Sequence, residues 1–176
     1  MRTARLTLAA ATPAHLRTEL DAPERLASLL GAEVADDWPS GEYDRDAMEF
    51  FHERLREGGD AAAGWYGWYA IRHADGDGPR ALVGAGGYLG PPDEDGIVEI
   101  GYSVLPEWQR RGYAGEIASA LVARAFALAG VARVIAHTTL ENAGSVTVLT
   151  RLGFVTAGPG PEPGIIRFEL PRPSAP

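Results

Sequence analysis

The stretch "QRRGYAGE" at residues 109–116 combines residue types that can hold an anion. Gly112 and Gly115 have no side chain, so the backbone there can approach a ligand closely and adopt unusual dihedral angles. The alanine-rich stretch that follows has helical spacing, and the first N–H groups of a helix lack partners and lie at the positive end of its dipole. Arg110 and Arg111 add positive charge. The stretch therefore predicts a phosphate-binding turn, with an ordinary turn carrying solvated arginines as the alternative.

Other well-known phosphate and metal motifs are missing from the sequence. There is no G-x-x-x-x-G-K-[ST] pattern, which excludes a P-loop. The stretch "GAGGYLG" at 84–90 lacks the third glycine of a dinucleotide fingerprint and leads into a turn, so we interpret it as a strand interrupted by glycines. The four histidines lack metal-ligand spacing and cysteine is absent. We therefore expect no metal site, no disulfide and no cysteine nucleophile.

Length and composition indicate one domain, which we assign to residues 1–170, followed by a flexible tail at 171–176. Hydrophobic residues make up 45% of the 176 residues, enough for a sizeable core. The 16 Lys+Arg against 24 Asp+Glu give a net charge of −8, which argues against nucleic-acid binding. No apolar run reaches the roughly 20 residues of a membrane span, and no signal peptide is recognisable. We expect a cytoplasmic protein without membrane contact.

Hydrophobic periodicity places the glycine-rich turn between a strand and a helix. Segments 80–90 and 96–105 alternate as strands do and are joined by a short polar turn, which predicts an antiparallel hairpin. Helical spacing then runs from Ala114 to Ala129, and a strand-like segment follows at 132–140. This order of strand, helix and strand predicts a crossover between two parallel strands.

Shorter patterns predict the remaining elements. Further strands are expected at 5–10, 64–73, 154–158 and 164–170, and further helices at 12–20, 22–31, 46–59 and 142–153. Asp46 and Asn142 are the predicted N-caps of the last two helices, and Gly58 and Gly59 are predicted to end the first of these. The aromatic cluster in the second strand is interpreted as core, although one face of that strand could line a pocket: Trp65, Tyr66, Trp68 and Tyr69.

Two patterns in these elements resemble the GNAT N-acetyltransferase superfamily. The first is Q-x-x-G-x-[GA] at Gln109, Gly112 and Ala114, which lies in the required strand–turn–helix context. The second is N-x-x-[SA] followed by L-G-F, at Asn142, Ser145, Leu152, Gly153 and Phe154. The resemblance covers residues 82–154, and the opening "TARLTLAA" is similar to the RimJ/RimL-like branch of the family.

The resemblance implies a fold and a cosubstrate. The fold is the α/β (α+β) GNAT fold, a mixed and mostly antiparallel sheet of six or seven strands with splayed central parallel strands and about four flanking helices. Acetyl-CoA would lie in the V between the splayed strands, with no metal. The backbone of Ser103, Val104 and Leu105 would bind the pantetheine arm, and Asn142 would contact it or the opposite strand. The amides that would wrap the pyrophosphate are those of Arg110, Arg111, Gly112, Tyr113, Ala114 and Gly115.

The implied reaction is transfer of an acetyl group from acetyl-CoA to a primary amine by direct attack in a ternary complex. An alkylammonium must lose a proton before it can attack, so a base is required. By the resemblance Glu99 is the first candidate and His137, five residues before Asn142, is the second; the two could share the work through water. Ser145 could hydrogen-bond the leaving thiolate, because Leu149 stands where many family members carry a tyrosine.

Our main hypothesis is therefore an acetyl-CoA-dependent N-acetyltransferase. Its acceptor would be a protein N-terminus or a small-molecule amine, in a pocket shaped by the loop 35–46 and by the strand that contains Trp65 and Trp68. Four acidic residues of that loop could attract a cation: Asp36, Asp37, Glu42 and Asp44. The resemblance is also compatible with a homodimer. The alternatives are a catalytically idle acyl-CoA-binding module, motivated by Leu149, and a nucleotide-binding protein unrelated to this family.

Overall fold

The computed structural model describes residues 1–39, 41, 43–74 and 78–173. Within these ranges the chain forms seven β-strands and five α-helices. The strands are β1 (Leu6–Ala10), β2 (Gly67–Arg72), β3 (Ala81–Tyr88), β4 (Ile97–Val104), β5 (Arg133–Thr139), β6 (Val155–Pro159) and β7 (Ile165–Pro171). The helices are α1 (Pro13–Asp21), α2 (Leu26–Leu30), α3 (Arg45–Ala62), α4 (Tyr113–Ala127) and α5 (Ala143–Arg151).

All seven strands belong to one sheet with the order β1-β2-β3-β4-β5-β7-β6. Neighbouring strands are antiparallel except for β4 and β5, which are parallel and are connected through α4. The predicted hairpin between β3 and β4 and the predicted crossover between β4 and β5 are therefore both present. The mixed, mostly antiparallel sheet confirms the predicted fold class.

The two parallel strands separate soon after they meet. In the described chain their ladder runs only from Ile97 to Glu99 on β4, where Glu99 lies opposite Ile135. However, β4 continues to Val104 and β5 continues to Thr139. Beyond Glu99, β4 stays paired with β3 and β5 stays paired with β7, so a gap opens between the two strands. This gap is the predicted splay.

The sheet separates two buried clusters, one against α1, α2 and α3 and the other against α4 and α5. Side chains of β2 alternate between them, since Trp68 and Ala70 join the α4–α5 cluster while Tyr69 and Ile71 join the α1–α3 cluster. Tyr66 also packs in the α1–α3 cluster. Because every residue of β2 is buried, these aromatic residues form core on both faces, as interpreted from the sequence.

Helix α4 packs on β3 and β4 through an apolar stripe. Ile117, Leu121 and Ala125 recur every four residues and are fully buried. Burying each of the two larger side chains contributes roughly 1.5–3 kcal/mol. Gly86 of β3 lies beneath the stripe, where a Cβ atom would come within 2.7 Å of Ile117 Cγ2. This close approach explains one glycine of the interrupted strand and positions α4 at the diverging end of β4.

The start and end of α3 differ from the sequence prediction. The N-cap is Asp44 and not Asp46, because the Asp44 carboxylate accepts a hydrogen bond from the Ala47 amide at 3.0 Å. The predicted end at the glycine pair is a kink instead, since Gly59 has φ 52° and ψ −136° and the helix then resumes to Ala62. A glycine adopts such angles without the strain that a Cβ atom would cause, so the chain can turn there and remain helical on both sides.

The chain is held in place beyond the predicted domain end at residue 170. Pro171 is the last residue of β7, and Arg172 follows it. The backbone amide and guanidinium of Arg172 donate to four carbonyls at the connection from α4 to β5: Phe126, Leu128, Val131 and Ala132. Residues 174–176 of the predicted tail lie outside the described residues.

Candidate active site

The predicted phosphate-binding turn connects the diverging end of β4 to α4. Gly112 is the N-cap residue of α4, with φ 85° and ψ 4°, and has no side chain that could cap the helix. The amides of Tyr113, Ala114 and Gly115 in the first turn therefore have no side-chain cap and can donate to an external acceptor. Uncapped amides at the positive end of a long helix are the arrangement that binds phosphate groups.

Gly115 is the clearest indication that a ligand approaches this turn. A Cβ atom at Gly115 would meet nothing within 4 Å among the described residues, and the residue does not have a positive φ. Glycine costs about 0.5–1 kcal/mol relative to alanine within a helix, and neither crowding nor backbone geometry accounts for it here. The open space beside Gly115 fits a group that contacts the backbone. Gly112, in contrast, is required by its left-handed conformation.

Both arginines of the turn are exposed. Arg110 has φ 58°, a left-handed conformation that is uncommon outside glycine and that costs of order 1–3 kcal/mol. The guanidinium of Arg111 lies 4.9 Å from the centre of the Trp108 ring. The arginines thus surround the uncapped amides with positive charge and leave the amides themselves accessible.

Glu116 places a carboxylate in the first turn of α4, and the N-terminal segment neutralises it. The Arg5 amide and its guanidinium each donate to this carboxylate at 2.8 Å, and the Thr3 hydroxyl donates to it as well. Arg5 also donates to the Arg111 carbonyl at 2.8 Å and lies 4.5 Å from the centre of the Tyr113 ring. Arg5 therefore ties the segment before β1 to the turn. Its only sequence indication is its place in the RimJ/RimL-like opening.

The pKa of Glu116 reflects this network. Partial burial of the carboxylate raises its pKa. The hydrogen bonds from Thr3 and Arg5 and the positive charge of Arg5 act in the opposite direction and prevail, so the pKa of Glu116 lies below its ordinary value. The carboxylate is therefore ionised and fully compensated beside the turn.

Backbone groups of β4 face the gap at alternate residues. The Leu105 amide donates to the Val83 carbonyl at 3.0 Å, and the Glu99 carbonyl accepts from the Leu89 amide, so odd-numbered residues of β4 bond to β3. By this alternation the backbone groups of Tyr102 and Val104 point into the gap, and Gln109 donates to the Val104 carbonyl at 3.0 Å. The Leu105 amide, predicted to bind pantetheine, is instead occupied within the sheet. Ser103 also bonds toward β3.

Glu99 and His137 meet at the point where the parallel strands diverge. The Glu99 Oε1 atom lies 2.8 Å from His137 Nδ1, although 38 residues separate them in the chain. Both side chains are largely shielded from solvent, with 27% and 19% exposed. Side chains of a strand alternate between faces, so Glu99 lies on the same face of β4 as Gly101 and Ser103. The two candidate bases therefore form a directly hydrogen-bonded pair, and no water is needed to connect them.

The opposite face of the gap carries a pair of hydroxyl groups. Ser145 in the first turn of α5 lies with its Oγ atom 3.2 Å from the Tyr102 hydroxyl of β4. Burial raises the pKa of Tyr102, while the hydrogen bond with Ser145 opposes that rise. Asn142 is the N-cap of α5, as predicted, and accepts from the Ser145 amide at 3.1 Å. Leu149 is fully buried in the core.

A cavity of about 290 Å³ borders the gap on the α3 face of the sheet. Its floor includes Gly101, Tyr102 and Ser103, which lie beyond the last residue pair of β4 and β5, and its wall includes Phe50 and Phe51 of α3. The other lining residues are Tyr43, Ala47, Ala85, Gly86, Gly87 and Leu89.

The predicted pocket residues are only partly those of this cavity. The loop 35–46 contributes Tyr43, but Asp36 and Asp37 do not line the cavity and Asp44 caps α3. Glu42 lies outside the described residues. Trp65 and Trp68 do not line this cavity; both indole rings lie beside the Arg124 guanidinium of α4, at 4.9 and 5.4 Å from the ring centres. Alternation along β2 directs Trp68 away from the α3 face.

Glu19, which the sequence did not single out, holds the cavity wall in place. Its carboxylate is buried and accepts hydrogen bonds from the Trp38 indole and from the Tyr43 and Tyr69 hydroxyls at 2.8 and 2.6 Å. Burial raises the pKa of Glu19 above its ordinary value, although the three hydrogen bonds oppose the rise. The network fixes Tyr43 with its hydroxyl turned into the core. A local pattern could not reveal it, because its members are up to 50 residues apart.

Among residues 1–39, 41, 43–74 and 78–173, no three His, Asp or Glu side chains are grouped to hold a metal ion. Over the same ranges, no helix is both long enough and apolar enough to cross a bilayer.

Comparisons with known proteins identify the family of the chain. A family model described as "Acetyltransferase (GNAT) domain" matches residues 5–155. The uncharacterized N-acetyltransferase YjdG of Bacillus subtilis (strain 168) is 32% identical over 126 residues, which cover 72% of this chain and 71% of YjdG.

Two solved structures have a similar fold. One is RimL, a ribosomal L7/L12 alpha-N-protein acetyltransferase in complex with coenzyme A, with a TM-score of 0.64, 16% identity and coverage of 96% of this chain and 95% of RimL. The other is a dodecameric spermidine N-acetyltransferase from Vibrio cholerae, with a TM-score of 0.62, 16% identity and coverage of 97% of this chain and 95% of that one. At these identities the likeness concerns the fold.

The Glu116 network predicts a specific dependence of stability on pH. Its folded pKa lies below the ordinary glutamate value of 4.5, so its stabilising contribution is complete above that pH and is lost as the pH falls through the folded pKa. Glu116→Gln should therefore lower the melting temperature at about pH 7, and the difference from wild type should shrink toward about pH 3. Melting curves across this range test the expectation, with Glu107→Gln at an exposed position as the control. A difference that stays constant with pH would contradict it.

Proposed function

The chain belongs to the GNAT acetyltransferase family and is an acyltransferase, and we propose that it transfers an acetyl group from acetyl-CoA to a primary amine by direct attack in a ternary complex. The main support for the proposal is the hydrogen-bonded pair of Glu99 and His137, which lies at the point where β4 and β5 diverge. It supplies the proton acceptor that an ammonium substrate requires. The alternative of a nucleotide-binding protein outside this family is wrong, because the family model spans residues 5–155.

Three features support acetyl-CoA as the cosubstrate. The uncapped amides of α4 and the open space beside Gly115 suit a pyrophosphate, and the turn amides from Arg110 to Gly115 would hold it. The backbone groups of Tyr102 and Val104 face the gap, where a pantetheine arm can bond to them. RimL, which has a similar fold, was solved with coenzyme A. When bound, acetyl-CoA supplies an activated acyl group, so the chain needs no nucleophile of its own.

Glu99 is the proposed base, and His137 shares the proton with it. An ammonium group on the α3 face can give its proton to the Glu99 carboxylate, which lies on that face beside Gly101. His137 Nδ1 lies 2.8 Å from Glu99 Oε1. It can donate a hydrogen bond to the ionised carboxylate or accept one from the protonated acid, so it stabilises Glu99 in both states. The pair thus offers an acceptor for the one proton that the ammonium group must lose before its nitrogen attacks the thioester.

Ser145 is the proposed hydrogen-bond donor to the leaving sulfur, and Tyr102 supports it. Burial raises the pKa of Tyr102, so its phenol remains protonated at neutral pH and can donate to Ser145 Oγ at 3.2 Å. A donated hydrogen bond makes the serine hydroxyl a better donor in turn. The contact between Tyr102 and Ser145 weakens the argument for a catalytically idle acyl-CoA-binding module, because Tyr102 supplies a phenol that the Leu149 side chain cannot provide. Asn142, which caps α5, keeps its side-chain amide nitrogen for a ligand carbonyl.

The acceptor in this proposal is a primary amine, either a protein N-terminus or a small molecule. RimL acts on a protein N-terminus and the Vibrio cholerae enzyme acts on spermidine, so the fold accommodates both kinds of amine. A homodimer and a cytoplasmic location stay predictions of the sequence.

The pyrophosphate assignment predicts opposite effects of Gly115→Asp on binding and on stability. A carboxylate at this position of the first helical turn stabilises a helix by about 0.3–1 kcal/mol, but it repels a pyrophosphate. Affinity for CoA should fall by about tenfold or more, while the melting temperature without ligand stays equal or rises. Calorimetric titration and thermal unfolding measure the two effects, with Ala123→Asp, two turns along the exposed side of α4, as the matched control. Unchanged CoA affinity in Gly115→Asp would contradict the assignment.

The base assignment predicts a selective loss of turnover. Glu99→Gln keeps the shape of the side chain and removes its ability to accept the amine proton, so kcat should fall about 10²-fold with little change in KM for acetyl-CoA. The assay is thiol release from acetyl-CoA over a panel of primary amines. Glu169→Gln, which alters a carboxylate of β7 that pairs with Arg133, is the control and should retain turnover. Wild-type turnover in Glu99→Gln would move the base role to His137 or to water.

A further inference from the structure

The cavity on the α3 face has a lining that restricts its occupant. None of its eleven lining residues, all described, carries a charged side chain, and most of the surface comes from aromatic rings, alanines and glycine backbone. The Tyr43 hydroxyl donates to Glu19, so Tyr43 offers its ring to the cavity and not its hydroxyl. A cavity without a compensating carboxylate disfavours a cation along its length, because removing a charge from water is costly.

The cavity also has an open apolar mouth. Phe50 and Leu89 are among the exposed large hydrophobic residues of the described chain, at 41% and 49%, and both line the cavity. Phe51 also lines the cavity, and its ring packs against the rings of Phe50 and Tyr66. An apolar group that enters from solvent therefore contacts apolar surface from the mouth to the floor.

The floor of the cavity leads to the proposed base. Leu89 lies in the wall of the cavity, and its amide donates to the Glu99 carbonyl, so these two residues lie opposite each other. Side chains alternate along β4, so Glu99 is the next residue after Gly101 on the same face. Ser103 Oγ is buried and has no hydrogen-bond partner among the described residues. An amine nitrogen placed over Gly101 would have the next side chain of β4 on this face, the Glu99 carboxylate, as its partner. The site therefore has one polar end, which lies at the floor of the cavity.

We propose that the acceptor is a primary monoamine whose body is apolar and about the size of an aromatic ring. The body occupies the cavity between α3 and the β3–β4 hairpin, and the single amino group reaches Glu99. This inference rests on the proposed function and specifies its substrate class. A volume of about 290 Å³ suits a small ligand of this kind, and the uncharged lining disfavours polyamines and amines that carry a second charge.

Gly101 allows the cavity to be narrowed without disturbing the fold. A Cβ atom on Gly101 would meet nothing within 4 Å in the described chain, and valine is well suited to a strand. Gly101→Val therefore fills part of the cavity and should leave the melting temperature and CoA affinity unchanged. Gly130→Val is the matched control, because Gly130 has equally open surroundings and lies outside the cavity.

The test measures amine binding to the CoA-saturated protein by calorimetric titration, with 2-phenylethylamine and spermidine as probes. We expect 2-phenylethylamine to bind at least tenfold more tightly than spermidine. Gly101→Val should weaken 2-phenylethylamine at least tenfold, while Gly130→Val should not. A second variant, Phe50→Glu at the exposed mouth, should shift the preference toward spermidine, and Leu29→Glu at a similarly exposed position should not.

Several results would overturn the inference: no binding of 2-phenylethylamine, equal or tighter binding of spermidine, or unchanged binding in Gly101→Val. Tighter binding of hexanoyl-CoA than acetyl-CoA that is lost in Gly101→Val would also overturn it, because the cavity would then hold an acyl chain. Thiol release is a separate readout for the proposed function. If 2-phenylethylamine binds as expected but releases no thiol from acetyl-CoA, the proposed reaction fails and the cavity assignment stands.

Discussion

The site depends on the early separation of β4 and β5. After Glu99 the two strands keep their outer partners, β3 and β7, and no longer bond to each other. Backbone groups in the interior of a protein need partners, so the inner edges of the gap must bond to side chains, water or a ligand. Gln109 already provides one such bond, to the Val104 carbonyl. A ligand with amide groups can complete the broken ladder, which is the physical reason that a pantetheine arm suits this gap.

The same separation divides the chemistry between the two faces of the sheet. Glu99 and His137 lie on the α3 face, where the apolar cavity opens, while Tyr102 and Ser145 meet on the α4–α5 face. In the proposed reaction, a proton would leave the amine on one side of the gap while a hydrogen bond is donated to the sulfur on the other. The N-terminal segment completes the arrangement, because Arg5 neutralises the Glu116 carboxylate in the first turn of α4, beside the predicted phosphate-binding turn.

Sequence patterns predicted the elements that depend on local periodicity and on short motifs. The order of strands, the α4 crossover, the turn at 109–116 and the Asn142 cap are of this kind. The Glu99–His137 contact, the Tyr102–Ser145 contact and the Glu19 network join residues far apart in the chain, and only the tertiary fold brings them together. The direction of Trp68 could not be predicted for a related reason: a strand buried on both faces has no polar face to indicate which side is which.

Backbone amide chemical shifts measured by NMR during a CoA titration would show whether the gap and the uncapped turn bind CoA together. We expect the largest changes at Tyr102 and Val104 in β4 and at 113–115 in α4, with little change in α1 and α2. Both sets should shift with the same dissociation constant, because one molecule would contact them. Changes confined to other regions, or two sets that respond at different CoA concentrations, would contradict it.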